Sequence, residues 1–418
     1  MKFIKTPLNT SKEFSYKTKG VMLMSTFDFE RINTDLSFLC APEQKGRLSG
    51  TIGAKNVALY LANSLKQMGF QPIGGEGYFE KVHVPAARLV NKASLKIGQW
   101  NLLHRIEYGE ITTYGGGKAE GELLVVKNNQ DLNEEELKGK IVLILLKTDD
   151  FNLNETVKYA KSLGVSAVLI DGGEPRWFHK SVMGNYETLN SFIPVLRIRS
   201  SLLPELIRLS GSIVTFNLPI EISSKECQNV MGYYPGESES TETIALVSHY
   251  DFLGDDPGGH RFEGAGDNAA GVATILEVSR QIASLPHKLP FNLLTVFTTG
   301  EESDLWGEKH LISNPPFPLS KTIYLDGLGR TPYYSLNVSY HWEDKNIINS
   351  LMSISRDMGV SIKVNESKAK GLFNFLITGT STVKFRPYHT PDDTYELTHV
   401  NVLQEVANLL VELLMIIK

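Results

Sequence analysis

The 418-residue sequence predicts an α/β protein with a mostly parallel mixed sheet sandwiched between helices. Two observations carry this. From about residue 228 the chain alternates apolar strands with amphipathic helices, the pattern of crossover units in a parallel sheet. The strands read as unbroken apolar runs rather than alternating ones, as expected of strands covered on both faces.

Taken in order, "GTIGAKNVALYLANSLKQMGFQP" places Val57, Leu61 and Leu65 on one helical face, and Gly69 closes the pattern. Residues of roughly 88–220 differ in texture, with short Val/Ile/Leu-rich strands at "EGELLVVKN", "GKIVLILLK", "VSAVLIDGG" and "IPVLRIR" and a helix at "ETVKYAKSLG". Few His or acidic residues cluster there, so this middle region reads as non-catalytic. Beyond it come a strand at "ETIALVSHYD" and a helix at "AAGVATILEVSRQIASL" with Val272, Ile275 and Leu276 inward. Strands at "FNLLTVFTTG" and "KTIYLDG" and a helix at "DKNIINSLMSISRDMG" follow. In the last helix Leu403, Val406, Ala407, Leu410, Leu413 and Leu414 share one face.

Composition narrows the function. Hydrophobic residues make up 42% and charged residues 21%, ordinary for a globular protein. A net charge of −5 gives no electrostatic reason to expect nucleic acid or an anionic membrane as partner. No apolar run reaches transmembrane length; "VANLLVELLMIIK" is too short and carries Glu412. Residues 1–20 are basic without a continuous apolar core, so a cytoplasmic location is expected unless a signal has been removed, and Met22 and Met24 offer later natural starts. Cys40 and Cys227 are the two cysteines, which excludes a disulfide framework and a thiolate zinc site; both are expected as small buried residues.

The chemistry gathers at strand ends, where open α/β sheets place their sites. "LLTVFTTGEESDLWG" sets Glu301 beside Glu302 directly after an apolar strand. Taking two carboxylates out of water is costly unless a cation or a proton compensates. Other strand ends carry His249 and Asp251 two apart in "SHYD", Asp267 before a helix in "GAGDNAAG" with Asn268 as its cap, and Asp326 in "YLDG". His389 lies in a loop fixed by Pro387 and Pro391, whereas His260 reads as an ordinary loop residue. Each alone has a structural explanation. Together, imidazoles and carboxylates without thiolates form a catalytic zinc ligand set, and an odd number of ligands fits two metals sharing one bridging carboxylate.

"HYDFLG", "GAGDNAAGVATILEVSR", "GEESDLWG", the Asp of "YLDGLG" and "YHTPDDTYE", in that order, resemble the co-catalytic di-zinc aminopeptidases of peptidase clan MH. That superfamily includes bacterial leucyl aminopeptidases and members like glutamate carboxypeptidase and the transferrin receptor. The middle region resembles the protease-associated (PA) domain that many members insert. The resemblance implies the phosphorylase/hydrolase-like zinc peptidase fold, with residues 1–87 and 221–418 as a discontinuous catalytic domain and 88–220 as a mainly-β PA domain. It also implies two zinc ions per chain: one held by His249 and Asp326, the second by Glu302 and His389, with Asp267 bridging. Asp251 would orient His249, Glu301 would be the general base, and Tyr388 would help hold the oxyanion. A cis peptide at Asp267–Asn268 is implied as well.

The first functional reading is therefore a metallo-aminopeptidase acting on peptides or proteins with free N-termini. A carboxypeptidase or deacylase of the same clan would need a cation for the substrate carboxylate, with Arg330 and Arg386 as candidates. A binding protein with a structural metal site is the third reading, and a base such as Glu301 would then have no task. The bulkier "SDLWGEKHL" departs from the small-residue turn of many members, putting Asp304 and Trp306 at the rim of the pocket.

Overall fold

The computed structural model describes residues 29–127, 134–145, 152–184, 192–237, 242–332, 335–367, 372–379 and 387–417. Residues 1–20 and Arg386, both invoked above, lie outside them. Among the described residues, nine strands form one sheet. Along its path the strands run Gln71–Pro72, Ile220–Tyr234, Asn292–Thr298, Thr243–His249, Lys321–Asp326, Phe375–Gly379, Ser335–His341 and Ser361–Ser367, and Phe79–Leu89 pairs along Ile220–Tyr234. The four central strands, from Asn292–Thr298 to Phe375–Gly379, are mutually parallel. Antiparallel pairings join them to Ile220–Tyr234 on one side and Ser335–His341 on the other.

The apolar runs explain this centre. Every residue of Thr243–His249 and of Asn292–Thr298 is buried. Alternate side chains feed opposite cores: Ile244, Leu246 and Leu293 face one, and Ala245, Val247 and Leu294 the other. The first core is closed by helices Phe29–Leu39, Ile52–Gln67, Ala270–Ala283 and Val400–Ile416, which bury Leu36, Val57, Leu61, Ile275, Leu276 and Leu410. Each buried Leu or Ile contributes about 1.5–3 kcal/mol. The second face is covered by helix Trp306–Ser313 through Leu311. Thr51 starts helix Ile52–Gln67, accepting from Ala54 N at 3.4 Å, and Gly69 follows its end at φ +82. Both cysteines are buried and free.

A second, eight-stranded sheet lies between residues 94 and 218. Gly117–Val126, Ile141–Ile144, Ala167–Asp171 and Val195–Ile198 run parallel, and the flanking strands pair antiparallel. Its two faces have separate cores, one around Leu123, Leu143 and Leu206, the other around Val142, Val168, Val157 and Ala160 of helix Leu153–Ser162. The chain enters and leaves this part through strands that pair with each other from Leu89↔Ile220 to Phe79↔Val230. No helix among the described residues is long and apolar enough to cross a membrane.

Candidate metal centre

Parallel pairing puts the carboxyl ends of the central strands at one edge, and the predicted residues converge there. His249 and Asp326 end their strands. Glu301 and Glu302 follow Asn292–Thr298 in a single 3-10 turn after Gly300, and Asp267 lies in the turn before helix Ala270–Ala283. His249 is fully buried, and its Nε2 faces Asp267 Oδ1 at 3.4 Å, Asp326 Oδ1 at 3.5 Å and Glu301 Oε2 at 4.0 Å. His389 Nε2 lies 2.9 Å from Glu302 Oε2 and 3.6 Å from Asp267 Oδ2. One carboxylate, Asp267, thus turns an oxygen toward each imidazole.

The donor set fits a divalent cation site. His249 Nε2 and Glu302 Oε1 are buried without a hydrogen-bond partner, an expensive condition that a cation relieves. Three overlapping ligand groups bring their atoms within 4.8 Å: His249–Asp267–Asp326, His249–Glu301–Glu302 and Asp267–Glu302–His389. Burial and then repulsion from neighbouring carboxylates (Glu302 and Asp326 on Glu301; Asp267, Asp251 and Asp326 on Glu302) push both carboxyls well above their ordinary range. Burial opposes the His249 imidazolium, yet Glu301, Asp267 and Asp326 hold its pKa well above the usual value. Negative charge is overconcentrated here, and oxygen and imidazole donors without thiolate suit zinc in an open site.

Asp251 bears on His249 less directly than the resemblance implies. His249 Nδ1 lies 3.2 Å from the Asp251 main-chain oxygen and 3.8 Å from its carboxylate. That carboxylate accepts from Ser49 Oγ at 3.1 Å and from Glu301 N at 3.3 Å, so it also positions the two-glutamate turn. The Asp267–Asn268 peptide is cis. Asn268 Oδ1 accepts from Gly271 N, and its amide donates to Ser248 Oγ and Leu325 O, tying this turn to the strand ends of His249 and Asp326. Tyr388, 43% exposed, stacks on the His389 ring at 3.6 Å.

Asp393 escaped the sequence reading. Its buried carboxylate accepts from Gly266 N at 2.9 Å and Asp267 N at 3.0 Å and meets Arg330 Nη2 at 3.3 Å, fixing the Asp267 turn. The signal was the acidic doublet in "HTPDDTYE" beside His389. A Cβ on Gly266 would come within 2.3 Å of Arg330 Nε, so glycine permits this close approach. Ser49 and Arg47 of "GRLSG" are further supports without a sequence signal. The fully buried Arg47 guanidinium donates to four carbonyls, those of Leu39, Tyr250, Glu263 and Gly264, bracing the turns after His249 and before Asp267. His260 packs edge-on against Trp177, away from the cluster. At the rim, Asp304 pairs with Lys309, and Trp306 donates its indole N–H to Ser303 O.

Glu308 lies behind the site, fully buried, accepting from Thr298 and from the Tyr324 hydroxyl, with Oε2 unpartnered. Burial pushes its carboxyl up to about 7. Between its ordinary value of 4.5 and that point the metal-free folded chain keeps a proton that the unfolded chain releases, so this group makes folding less favourable as pH rises. The expected cost is about 3 kcal/mol across that window. In urea melts of metal-free protein, Glu308→Gln should gain on the parent between pH 5 and pH 8 by roughly that amount. An equal difference at both pH values would show that Glu308 does not titrate there.

Residues 229–414 match the model of Peptidase family M28. The aminopeptidase YwaD of Bacillus subtilis is 22% identical over 400 residues, covering 87% of this chain and 79% of its own. Among solved structures, an aminopeptidase from Aneurinibacillus sp. strain AM-1 superposes with TM-score 0.65 at 20% identity, covering 93% of both chains. BSAP, a zinc aminopeptidase from Bacillus subtilis, gives 0.66 at 19%, covering 93% of this chain and 94% of its own. A peptidase M28 precursor from Shewanella amazonensis SB2B gives 0.69 at 18%, covering 94% and 93%. At such identities the superpositions establish a shared fold.

Proposed function

We propose that this chain, whose residues 229–414 match the model of Peptidase family M28, is a di-zinc aminopeptidase of that family with Glu301 as general base. The observation that carries this reading is the unequal placing of two adjacent carboxylates. The Glu302 side chain is 1% exposed and reaches His389, whereas the Glu301 side chain is 24% exposed and comes no nearer than 4.0 Å to His249. This contrast supports Glu302 as a ligand and Glu301 as the group that meets substrate.

His249 and Asp326 would hold one zinc ion, Glu302 and His389 the other, and Asp267 would serve both. The ions would supply the positive charge that acidifies a water and polarises the scissile carbonyl. Glu301 takes the proton from the attacking water and delivers it to the departing amine, so one carboxylate serves both halves of the reaction. Asp251 keeps Glu301 at its station through the Glu301 main-chain N–H. Tyr388 offers a phenol for the developing oxyanion.

Of the two cations named for a substrate carboxylate, Arg330 meets Asp393 at 3.3 Å and Asp267 at 3.6 Å through Nη2, and Arg386 lies outside the described residues. Residues 88–220 are proposed as a protease-associated domain on their sequence likeness and separate sheet. The test of the function is hydrolysis of a panel of peptides, each with a free and an N-acetylated terminus. Acetylation should abolish turnover. Equal turnover of blocked peptides would replace the aminopeptidase reading with a deacylase or carboxypeptidase.

A further inference from the structure

The segment from Gly172 to Gly184 leaves the second sheet and crosses to the metal centre. There the Lys180 main-chain N–H donates to the His389 carbonyl at 3.0 Å. His389 has φ +56, a left-handed conformation disfavoured for any residue with a Cβ, so its loop must be held by its surroundings. Neighbouring bonds fix the segment: Phe178 N donates to Arg105 O at 2.7 Å, and Ala87 N to Val182 O at 2.8 Å. The His179 ring stands edge-on to Tyr388.

The Lys180 side chain anchors the amide. Its ammonium meets Asp256 Oδ1 at 2.9 Å and donates to Gly254 O at 2.7 Å and Asp255 O at 3.3 Å. It also lies 4.9 Å from the centre of the Phe262 ring. Asp256 is shared with Arg105 at 2.7 Å, and Arg105 in turn meets Glu110 at 2.7 Å. All four charged side chains are buried, and Asp256 follows the strand that ends in His249. Two cations and two carboxylates therefore meet in a buried cluster, which His104 extends at Glu110 (2.8 Å) and which joins the second sheet's residues to the loop after His249. Removing one partner from such a cluster leaves a buried charge uncompensated.

We propose that Lys180 is a positioning residue for the metal position built from Glu302 and His389. Its amide holds the His389 loop, and its pairing with Asp256 holds the amide, so the second sheet contributes chiefly to the affinity of the position that includes His389. This rests on the reading of His389 as a ligand.

The test is chelator competition on the zinc-loaded full chain, counting zinc retained per chain by mass spectrometry. Lys180→Met keeps the apolar stem and the main-chain N–H but removes the ammonium. One zinc should leave at about 10–100-fold lower chelator, the loss typical when a residue supporting a ligand is removed, and the other should move far less. Lys180→Arg should restore most of the lost affinity. His389→Ala identifies which release step belongs to His389. Release of both ions as in the parent, or equal loosening of both, would overturn the proposal. If His389→Ala moves no step, His389 is not a ligand, and the functional reading fails together with this one. Should Lys180→Met not fold, the isosteric Asp256→Asn removes the other half of the pair and must give the same selective loss.

Discussion

Replacing Glu301 by Gln is expected to lower kcat by about 10²–10⁴-fold, the usual contribution of a positioned acid–base group. The substitution keeps the shape of the side chain and removes its ability to carry a proton. KM should change little, because the partly exposed Glu301 is assigned to proton transfer rather than to holding substrate. Zinc content should match the parent, since Glu302 and His389 meet at 2.9 Å without help from Glu301. Steady-state kinetics and zinc analysis on one preparation separate the outcomes. Unchanged kcat would remove Glu301 from the chemistry, whereas zinc lost together with activity would make it a ligand.

Asp267→Asn is expected to cost both metal positions at once. The carboxylate divides its oxygens between the two imidazoles, 3.4 Å from His249 and 3.6 Å from His389. An amide has one acceptor oxygen and no charge, so it cannot serve both sides. Supporting residues around metal sites cost about 10–100-fold in affinity when removed, and a bridging ligand should exceed the upper figure for each ion. Asp393 would still accept from the main-chain N–H groups of residues 266 and 267, so the turn should survive and the loss should be one of metal. A variant that keeps its zinc would mean that Asp267 serves structure alone.

Three of the four central strands were legible because burial on both faces leaves an unbroken apolar run, and Thr243–His249 and Asn292–Thr298 are buried throughout, whereas the short Phe375–Gly379, with Leu376 exposed, was not read as a strand. The candidate ligands were legible for a related reason: a charged residue immediately after such a run has to be explained, and His249, Glu302 and Asp326 all stand there. The supporting residues were not. Asp393, Ser49, Arg330 and Lys180 are ordinary surface types in irregular segments, and tertiary contacts alone set their burial. Asp251 shows the limit within one residue. Its position beside His249 was readable, but the division between main-chain oxygen and carboxylate depends on where Ser49 and the Glu301 turn arrive. The antiparallel flanks of the sheet were hidden too, since an apolar strand does not record its partner's direction.

The central claim is that Asp267 joins two zinc positions in a catalytic centre. The most direct measurement is the zinc-to-chain ratio of the parent protein after dialysis against zinc, taken with its turnover of a free N-terminal peptide. About two ions per chain are expected, with activity that disappears on chelation and returns with zinc. A ratio near one, or full turnover by metal-free protein, would contradict it.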